Sequence, residues 1–279
     1  MTSVNKSIKL LSLNTSLFDT NNEKLSQFLK ETAFDIVCLQ EVTRKVDKCA
    51  FDAFISKDAV DKATPKLKNS FYAPNWSLSY FKQHNFHGKE IFECDFGGQI
   101  ECGNYIKSKF EITEGKSIFL QKSFSYIVDW EAEEKHPGEE PRMVQIVDLK
   151  ITDTQKVRII NYHGIWSKNK LGTERTLLAC QKIAKLAMEV PFPALICGDF
   201  NLFPDTESMQ VFANNFTNLV DTYNVMCTRP KSNELSASKR NVVDYIFVSK
   251  GIEIKSFNVI HSDVSDHFPL VLEFSIIST

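Results

Sequence analysis

The chain has 279 residues, of which 43% are hydrophobic, so it is long enough and apolar enough to bury a sizeable core. Its 33 Lys and Arg residues nearly balance its 35 Asp and Glu residues, and the net charge is −2. This balance excludes proteins that grip nucleic acid through a strongly basic overall composition, so any polyanion must be held by local groups.

The first third of the chain predicts two buried strands with a helix between them. Ile8–Leu13 and Phe34–Leu39 are short, mostly apolar segments, and Asn21–Thr32 has apolar residues at helical spacing. The following stretch, 42–98, is irregular, and its second half is rich in aromatic residues. We interpret these rings as sheet core and loop packing, with substrate stacking as the alternative.

The middle of the chain predicts a run of strands with mixed alternation of apolar and polar residues. They are Gly103–Phe110, Ser117–Val128, Met143–Ile151 and Val157–Tyr162. An acidic segment, Glu131–Arg142, lies between the second and third of these strands and is typical of a solvated connection.

The last part of the chain predicts helices between strands. Thr173–Val190 has a regular apolar face and ends at prolines, which indicates a helix. The remaining elements are a strand at Ala194–Cys197, a short helix capped by Asp205 or Thr206, and late strands at Val242–Val248 and Leu270–Phe274. Because no Pro/Gly/Ser-rich linker divides the chain, this order predicts mixed α/β layers in a single domain, 1–279.

The cysteines and the N-terminal segment provide evidence about the cellular compartment of the protein. The chain has seven Cys, an odd number, and no two of them have the close C-x-x-C spacing of a zinc site. We therefore expect reduced thiols and a cytoplasmic protein. Residues 1–13 lack the pattern of a signal peptide and no segment approaches the length of a membrane span, so neither is expected.

Polar residues recur where the apolar segments end. Because strand ends meet at one edge of a sheet, we expect these side chains to converge on one pocket. They are Asn14, Glu41, His163, Asp199, Asn201, Asp244, Asp266 and His267. A turn or cap role is the alternative for any one of them, whereas the whole set favours a functional site.

The composition of this set indicates its chemistry. Carboxylate and amide oxygens without thiolates are the ligands of a hard cation such as Mg²⁺ or Mn²⁺. Two imidazoles beside carboxylates suit proton transfer and charge stabilisation at a phosphorus centre.

The same residues carry a resemblance to the endonuclease/exonuclease/phosphatase superfamily, the DNase I-like proteins. The blocks that match are Leu39–Val42, Gly198–Asn201, Val243–Ile246 and Ser265–His267, with Ser12–Thr15, Gly103–Phe110 and Asn161–Gly164 in support. In the last block Tyr162 stands where Thr is common. The chain is most similar to bacterial members of unassigned substrate that share Pro204–Ser208 and the pair Thr228–Arg229.

The resemblance implies a four-layer sandwich of two packed mixed β-sheets flanked by helices. It also implies that Glu41, helped by Asn14, holds the metal, that Asp199 orients or deprotonates the attacking water, and that Asn201 positions the phosphate. By the same resemblance His267, braced by Asp266, stabilises phosphoryl charge and His163 acts near the leaving group. Asp244 orients a neighbour or serves a second metal position.

The function that this implies is a Mg²⁺- or Mn²⁺-dependent phosphodiesterase or nuclease, which uses an activated water for in-line attack on a phosphoester, with nucleic acid the favoured substrate. The alternatives are a phosphatase or phosphodiesterase of a lipid or small phosphoester, and a catalytically inactive binding module. Lys168, Lys170, Arg175 and Arg229 are the candidate substrate-binding residues, although a solvated helix start explains the first three equally well. We expect a monomer, and the sequence leaves open the natural substrate, the number of metals and the general base.

Overall fold

The structure, a computed structural model, describes residues 7–18, 22–86, 88–130, 138–167, 169–230 and 240–277. The strands are β1 Ile8–Asn14, β2 Ile36–Lys45, β3 Asn69–Phe86, β4 Lys89–Ser108, β5 Glu111–Gln121, β6 Ser125–Tyr126, β7 Arg142–Lys150, β8 Lys156–His163, β9 Ala194–Asp199, β10 Phe216–Asn218, β11 Asp244–Ser249, β12 Ile252–Val259 and β13 Leu270–Ile276. The helices are α1 Asn22–Glu31, α2 Ser56–Ala63, α3 Glu174–Met188, α4 Glu207–Gln210 and α5 Leu219–Thr222, with a 3₁₀ turn at Asp52–Phe54.

The strands form two mixed sheets. The first has seven strands in the order β12-β13-β1-β2-β4-β3-β6, and the second has six in the order β10-β11-β9-β8-β7-β5. In each sheet the central strands include one parallel pair, β1 with β2 and β8 with β9. The ends of these parallel pairs place the polar residues that follow them side by side.

Alternation of side chains along the strands explains why the sheets pack in layers. On β1, Leu10 faces the core between the sheets, whereas Leu11 and Leu13 face the outer core with Leu25 and Leu29 of α1. The apolar face of α3 covers the other sheet through residues such as Ile183. The expected four-layer sandwich of two mixed sheets flanked by helices is confirmed.

A buried polar layer joins the two sheets beneath the strand ends. Gln40 Nε2 donates to Asn161 Oδ1 at 2.7 Å, and Asn161 Nδ2 donates to Gln145 Oε1 at 3.0 Å. All three residues are fully buried, so breaking one of these bonds would leave a costly unpaired amide. The layer therefore fixes how the two sheets are placed relative to each other directly below the polar pocket.

The irregular stretch 42–98 contains most of a long hairpin, β3–β4, that the sequence did not predict. Several of its aromatic side chains, including Trp76, Phe81 and Phe96, are buried in a cluster of their own with Phe18, whereas Tyr80 is 38% exposed. This burial favours the packing interpretation over substrate stacking. Of the acidic segment 131–142, residues 131–137 lie outside the described residues.

None of the helices in the described ranges combines the length and the apolar character needed to cross a lipid bilayer.

Candidate active site

The register of the strands brings most of the predicted residues to one end of the sandwich. Asn14 ends β1 opposite Gln40, the neighbour of Glu41 on β2. In the second sheet Asp199 ends β9 between His163 on β8 and Asp244 on β11, and it pairs with both positions. The side chains of Asn14, His163, Asp199, Asn201, Asp244 and His267 are buried.

A bulge in β2 presents Glu41 to this pocket. The register against β4 shifts between Leu39 and Val42, and Glu41 has φ of +58°. A residue other than Gly in this left-handed region is uncommon and is found mostly where the surroundings hold it. Asn14 Nδ2 donates to Glu41 Oε1 and to Asp199 Oδ2, both at 3.1 Å, so it ties the two carboxylates together.

His267 and Asp244 form a close buried pair. His267 Nδ1 lies 2.9 Å from each carboxylate oxygen of Asp244, and its Nε2 lies 3.7 Å from Asp199 Oδ2. Burial alone would lower the pKa of His267, but Asp244, Asp199 and Asp266 together raise it to about 9. His267 is therefore an imidazolium at neutral pH in this arrangement.

The pKa of Asp199 is lowered, whereas burial usually raises the pKa of a carboxyl group. Burial would raise the pKa of Asp199, but the positive charges of His267, Lys170 and Arg229 lower it. Its Oδ1 also accepts a hydrogen bond from the backbone N–H of Asn201 at 2.8 Å. Asp199 is thus held as a carboxylate beside an imidazolium.

The resemblance implies that Asp266 braces His267. In the structure, the residue that contacts the ring of His267 is Asp244 instead. Asp266 is the chain neighbour of His267, and its Oδ2 lies 3.2 Å from Arg229 Nη2. Its side chain is 37% exposed, whereas that of Asp244 is 5% exposed. Asp266 adds to the raised pKa of His267 through its charge, while Asp244 adds both charge and a hydrogen bond.

His163 faces the pocket from the other side. Its Nε2 lies 3.5 Å from Glu41 Oε1 and 3.8 Å from Asp199 Oδ2. Arg142 Nη1 lies 3.1 Å from its Nδ1. Burial, followed by the charge of Arg142, lowers the pKa of His163 well below its usual value.

Lys170, one of the candidate substrate-binding residues, lies in the pocket and is not on a solvated surface. It is 3% exposed, its Nζ donates to Asn201 Oδ1, and the same nitrogen lies 5.0 Å from the centre of the Trp166 ring. Burial lowers its pKa to about 7. Because Lys170 bonds the amide oxygen of Asn201, the amide nitrogen of Asn201 is the atom left to donate to a substrate, although Gly164 O already lies 3.4 Å from it.

The family model described as "Endonuclease/Exonuclease/phosphatase family" matches residues 11–267. The chain belongs to this family. The matched range contains all the residues of the pocket described above. No curated protein sequence matches the chain.

Solved structures similar to this chain include members of the family. A family protein from Beutenbergia cavernae has a TM-score of 0.69 at 13% identity over 98% of this chain and 72% of its own. A mannosyl-6-phosphatase from Bacteroides thetaiotaomicron has a TM-score of 0.57 at 17% identity, over 96% and 100%. D. rerio TDP2, complexed with a single-strand DNA product, has a TM-score of 0.62 at 15% identity, over 97% and 99%. At these identities the likeness shows the fold.

The donor set of this family member fits a hard cation. Burial, followed by the charge of Asp266, raises the pKa of Glu41, because lost hydration and like charges destabilise its carboxylate; a cation beside Glu41 would offset both effects. Ligand atoms of Asp199, Asp244 and His267 also lie within 4.8 Å of one another, but His267 as an imidazolium has no lone pair to offer a cation. Burial, followed by the charge of Glu41, raises the pKa of Cys102 well above the usual range, so Cys102 is a thiol and not a thiolate ligand.

The other candidate substrate-binding residues lie in different settings. Lys168 falls outside the described residues. Arg175 has a side chain that is 54% exposed and bonds Glu139 at 2.7 Å and Gln121 at 3.3 Å, so its guanidinium is already paired at the surface. Arg229 is mostly buried and pairs with Asp266.

Sequence reasoning missed Arg142. It lies at the end of the acidic segment, where the surrounding glutamates made it resemble a solvated loop residue. In the structure it begins β7 and is 7% exposed. The signal that could have revealed it is its position directly before the predicted strand Met143–Ile151.

Proposed function

We propose that the chain is a metal-dependent hydrolase of phosphate esters that uses an activated water for in-line attack. The observation that carries this proposal is the buried group in which Asp199, as a carboxylate, lies within 4 Å of both His163 and His267. A carboxylate, an imidazolium and a neutral imidazole around one space can respectively activate a nucleophile and stabilise charge on two sides of a phosphorus centre.

Asp199 is the group proposed to orient and deprotonate the water. The water oxygen forms the new bond to phosphorus while the bond from phosphorus to the leaving oxygen breaks, and the water proton passes to Asp199. Asn14 and the N–H of Asn201 fix the two oxygens of Asp199, so the carboxylate does not need to reorganise during the reaction.

His267 and Asn201 are proposed to hold the phosphoryl oxygens. The imidazolium of His267 offers Nε2–H to an oxygen whose negative charge grows in the transition state, while Asp244 keeps the proton on Nδ1. Asn201 has φ of +57°, and because Lys170 bonds its amide oxygen it is proposed to offer its amide nitrogen.

Glu41, oriented by Asn14, is proposed to hold Mg²⁺ or Mn²⁺. When bound, such a cation neutralises phosphoryl charge and assists the departing oxygen. The Oδ1 atom of Asn14 accepts from the backbone N–H of Ser16 at 3.0 Å, and its amide nitrogen faces Glu41. Asn14 is therefore proposed to act mainly by orienting the carboxylates, and Asp244 by orienting His267 rather than by serving a second metal.

The substrate proposed first is a nucleic-acid phosphodiester, and a lipid or small phosphoester is the second candidate. The first is supported by the fold likeness to TDP2 complexed with a DNA product, and the second by the likeness to a mannosyl-6-phosphatase. A binding module without activity is disfavoured because every expected polar position is filled. We further propose that the chain works as one domain and as a monomer, in a reducing compartment such as the cytoplasm, since its seven cysteines are free thiols.

The test is a hydrolysis screen over DNA, RNA, sphingomyelin, inositol phosphates and a chromogenic phosphodiester with Mg²⁺ present. Wild-type protein should turn over at least one of them. Asp199→Asn should lose roughly 10²–10⁴-fold in kcat, as is typical of a positioned acid–base group. Asp205→Asn, which changes an exposed carboxylate outside the pocket, is the matched control and should retain activity. Equal activity of wild type and Asp199→Asn would contradict the proposal.

A further inference from the structure

The contact between Arg142 and His163 indicates a role for Arg142 in the pocket. Arg142 Nη1 lies 3.1 Å from His163 Nδ1, and both residues are buried, at 7% and 4% exposure. On its other side Arg142 Nη2 lies 3.6 Å from Glu140 Oε1, which anchors the guanidinium. Arg142 begins β7 and His163 ends the neighbouring β8, so the contact joins two strands of one sheet.

The chemistry of the two side chains determines where the proton of His163 lies. A guanidinium has only donors and stays protonated in proteins, so Arg142 can only donate in this contact. His163 Nδ1 must therefore carry a lone pair. An imidazolium has no lone pair on either nitrogen, so His163 is neutral, with its single proton on Nε2.

This tautomer limits what His163 can do. The nitrogen that faces the pocket is Nε2, which carries the proton and lies 3.5 Å or more from the carboxylate oxygens of Glu41 and Asp199. It cannot take a proton from water, because its lone pair is on the far side and is bonded to Arg142. Loss of the Nε2 proton would leave an imidazolate, so what remains is donation of a hydrogen bond to a substrate oxygen.

The pocket thus contains one protonated and one neutral histidine, and in each case the partner of Nδ1 determines the protonation state. The Nδ1 atom of His267 faces the acceptor oxygens of Asp244, whereas the Nδ1 atom of His163 faces the donor Arg142. One partner favours a protonated ring, and the other partner requires a bare nitrogen.

We propose that Arg142 is a positioning residue that holds His163 as a neutral hydrogen-bond donor toward the leaving or phosphoryl oxygen. This rests on the proposed function for its catalytic consequence, but the tautomer itself does not. Under this assignment proton abstraction falls to Asp199, and His163 is neither the base nor the acid of the reaction.

The direct test is the nitrogen spectrum of His163 in metal-free, substrate-free protein labelled with ¹⁵N-histidine. Two-bond proton–nitrogen correlations distinguish a bare ring nitrogen from a protonated one, and His163→Gln identifies the signals of this ring. The expected result is a bare Nδ1 and a protonated Nε2. A protonated Nδ1 in the wild-type protein would overturn the proposal.

Three variants of arginine extend the test. Arg142→Met removes the donor and should release the fixed tautomer and lower kcat about 10–100-fold with little change in KM, the usual effect of losing a group that orients a site histidine. Arg142→Lys retains a donor, so it should keep part of the tautomer preference of His163 and part of the wild-type kcat. Arg158→Met is the matched control: it removes a buried arginine of β8 that pairs with Asp148 at 2.7 Å, so it should lower thermal stability and leave the His163 signals unchanged.

The outcomes separate this proposal from the proposed function. If Arg142→Met keeps the wild-type tautomer and kcat, Arg142 is not a positioning residue. If Arg142→Met does not fold, the wild-type spectrum and Arg142→Lys still decide. A wild-type protein that shows the expected tautomer but hydrolyses no phosphoester would contradict the proposed function and leave the assignment of the His163 proton standing.

Discussion

Replacement of His267 by Gln should change how the stability of the metal-free protein depends on pH. The folded protein holds the pKa of His267 at about 9, because the carboxylates of Asp244, Asp199 and Asp266 outweigh its burial. An unfolded chain has a histidine pKa of about 6.5. The folded state therefore binds this proton more tightly, and its stabilising contribution is complete below about pH 6.5 and lost as the pH rises through about 9.

The size of the effect follows from these two pKa values. At about 1.4 kcal/mol for each tenfold difference in proton affinity, the change from about 6.5 to about 9 corresponds to roughly 3 kcal/mol of unfolding free energy. The packing of the imidazole ring does not depend on pH, so its removal adds a constant to the difference between the two proteins. The lowered pKa of Lys170 has the opposite effect near neutral pH, but Lys170 is present in both proteins and its contribution cancels to first order in the difference.

The assay is urea unfolding in excess chelator, followed by tryptophan fluorescence, for wild type and His267→Gln. The stability advantage of wild type should shrink by roughly 3 kcal/mol between about pH 6 and about pH 9.5. Asp244→Asn, which removes the closest carboxylate, should show part of the same loss of pH dependence. A wild-type advantage that stays constant over this range would refute the assignment of His267 as a buried imidazolium.

The remaining predictions concern the metal, the hydrogen bond of Asn201 and the salt dependence. Glu41→Gln keeps the shape of the side chain but removes one negative charge, so titration should show a higher Mg²⁺ concentration at half-activity; an unchanged midpoint would exclude Glu41 as a ligand. Lys170→Met removes the donor that orients Asn201 and should raise KM and lower kcat, whereas unaltered kinetics would show that Asn201 is held by other groups. If the substrate is duplex DNA, the log–log salt slope of affinity should be shallower than about −3, because few cations line the pocket. A steeper slope that grows with DNA length would indicate an extended basic track instead.

Much of the fold could be predicted from the sequence because local patterns and tertiary packing agree there. The apolar segments Ile8–Leu13 and Val157–Tyr162 lie within one residue of the observed β1 and β8 at each end. The helix predicted at Thr173–Val190 is observed at Glu174–Met188, where Thr173 caps it through a hydrogen bond from Thr176 N. In each case one face of the element is apolar and the end is marked by a cap, a polar residue or a proline.

The hairpin of β3 and β4 was not predicted because register shifts between Pro74 and Trp76 and between Leu78 and Tyr80 interrupt the alternation of apolar and polar residues. Its outer half packs aromatic rings such as Phe81 and Phe92 into a separate cluster rather than into the core between the sheets. The strand predicted at Ser117–Val128 is divided in the structure, since β5 ends at Gln121 and the short β6 joins the other sheet. Strand β12 was missed although its apolar and polar residues alternate; a bulge between Ile254 and Ser256 shifts the alternation to the other residues partway along the strand.

The members of the site could be predicted, but their partners could not. Strand ends identify Glu41, Asp199 and Asp244, since each follows or begins an apolar run. The choice of Asp244 rather than Asp266 as the partner of His267 depends on the direction of a side chain after a turn, which no spacing in the sequence encodes. The same holds for Arg142, whose role depends on the pairing of β7 with β8.

The central claim is that phosphoester hydrolysis at this site needs a divalent cation held by carboxylates. The most direct measurement is the hydrolysis rate of the best substrate from the screen by chelator-treated protein, as Mg²⁺ or Mn²⁺ is added back. We expect no turnover in chelator, recovery with either cation, and no recovery for Asp199→Asn at any cation concentration. Full turnover in excess chelator would contradict the account.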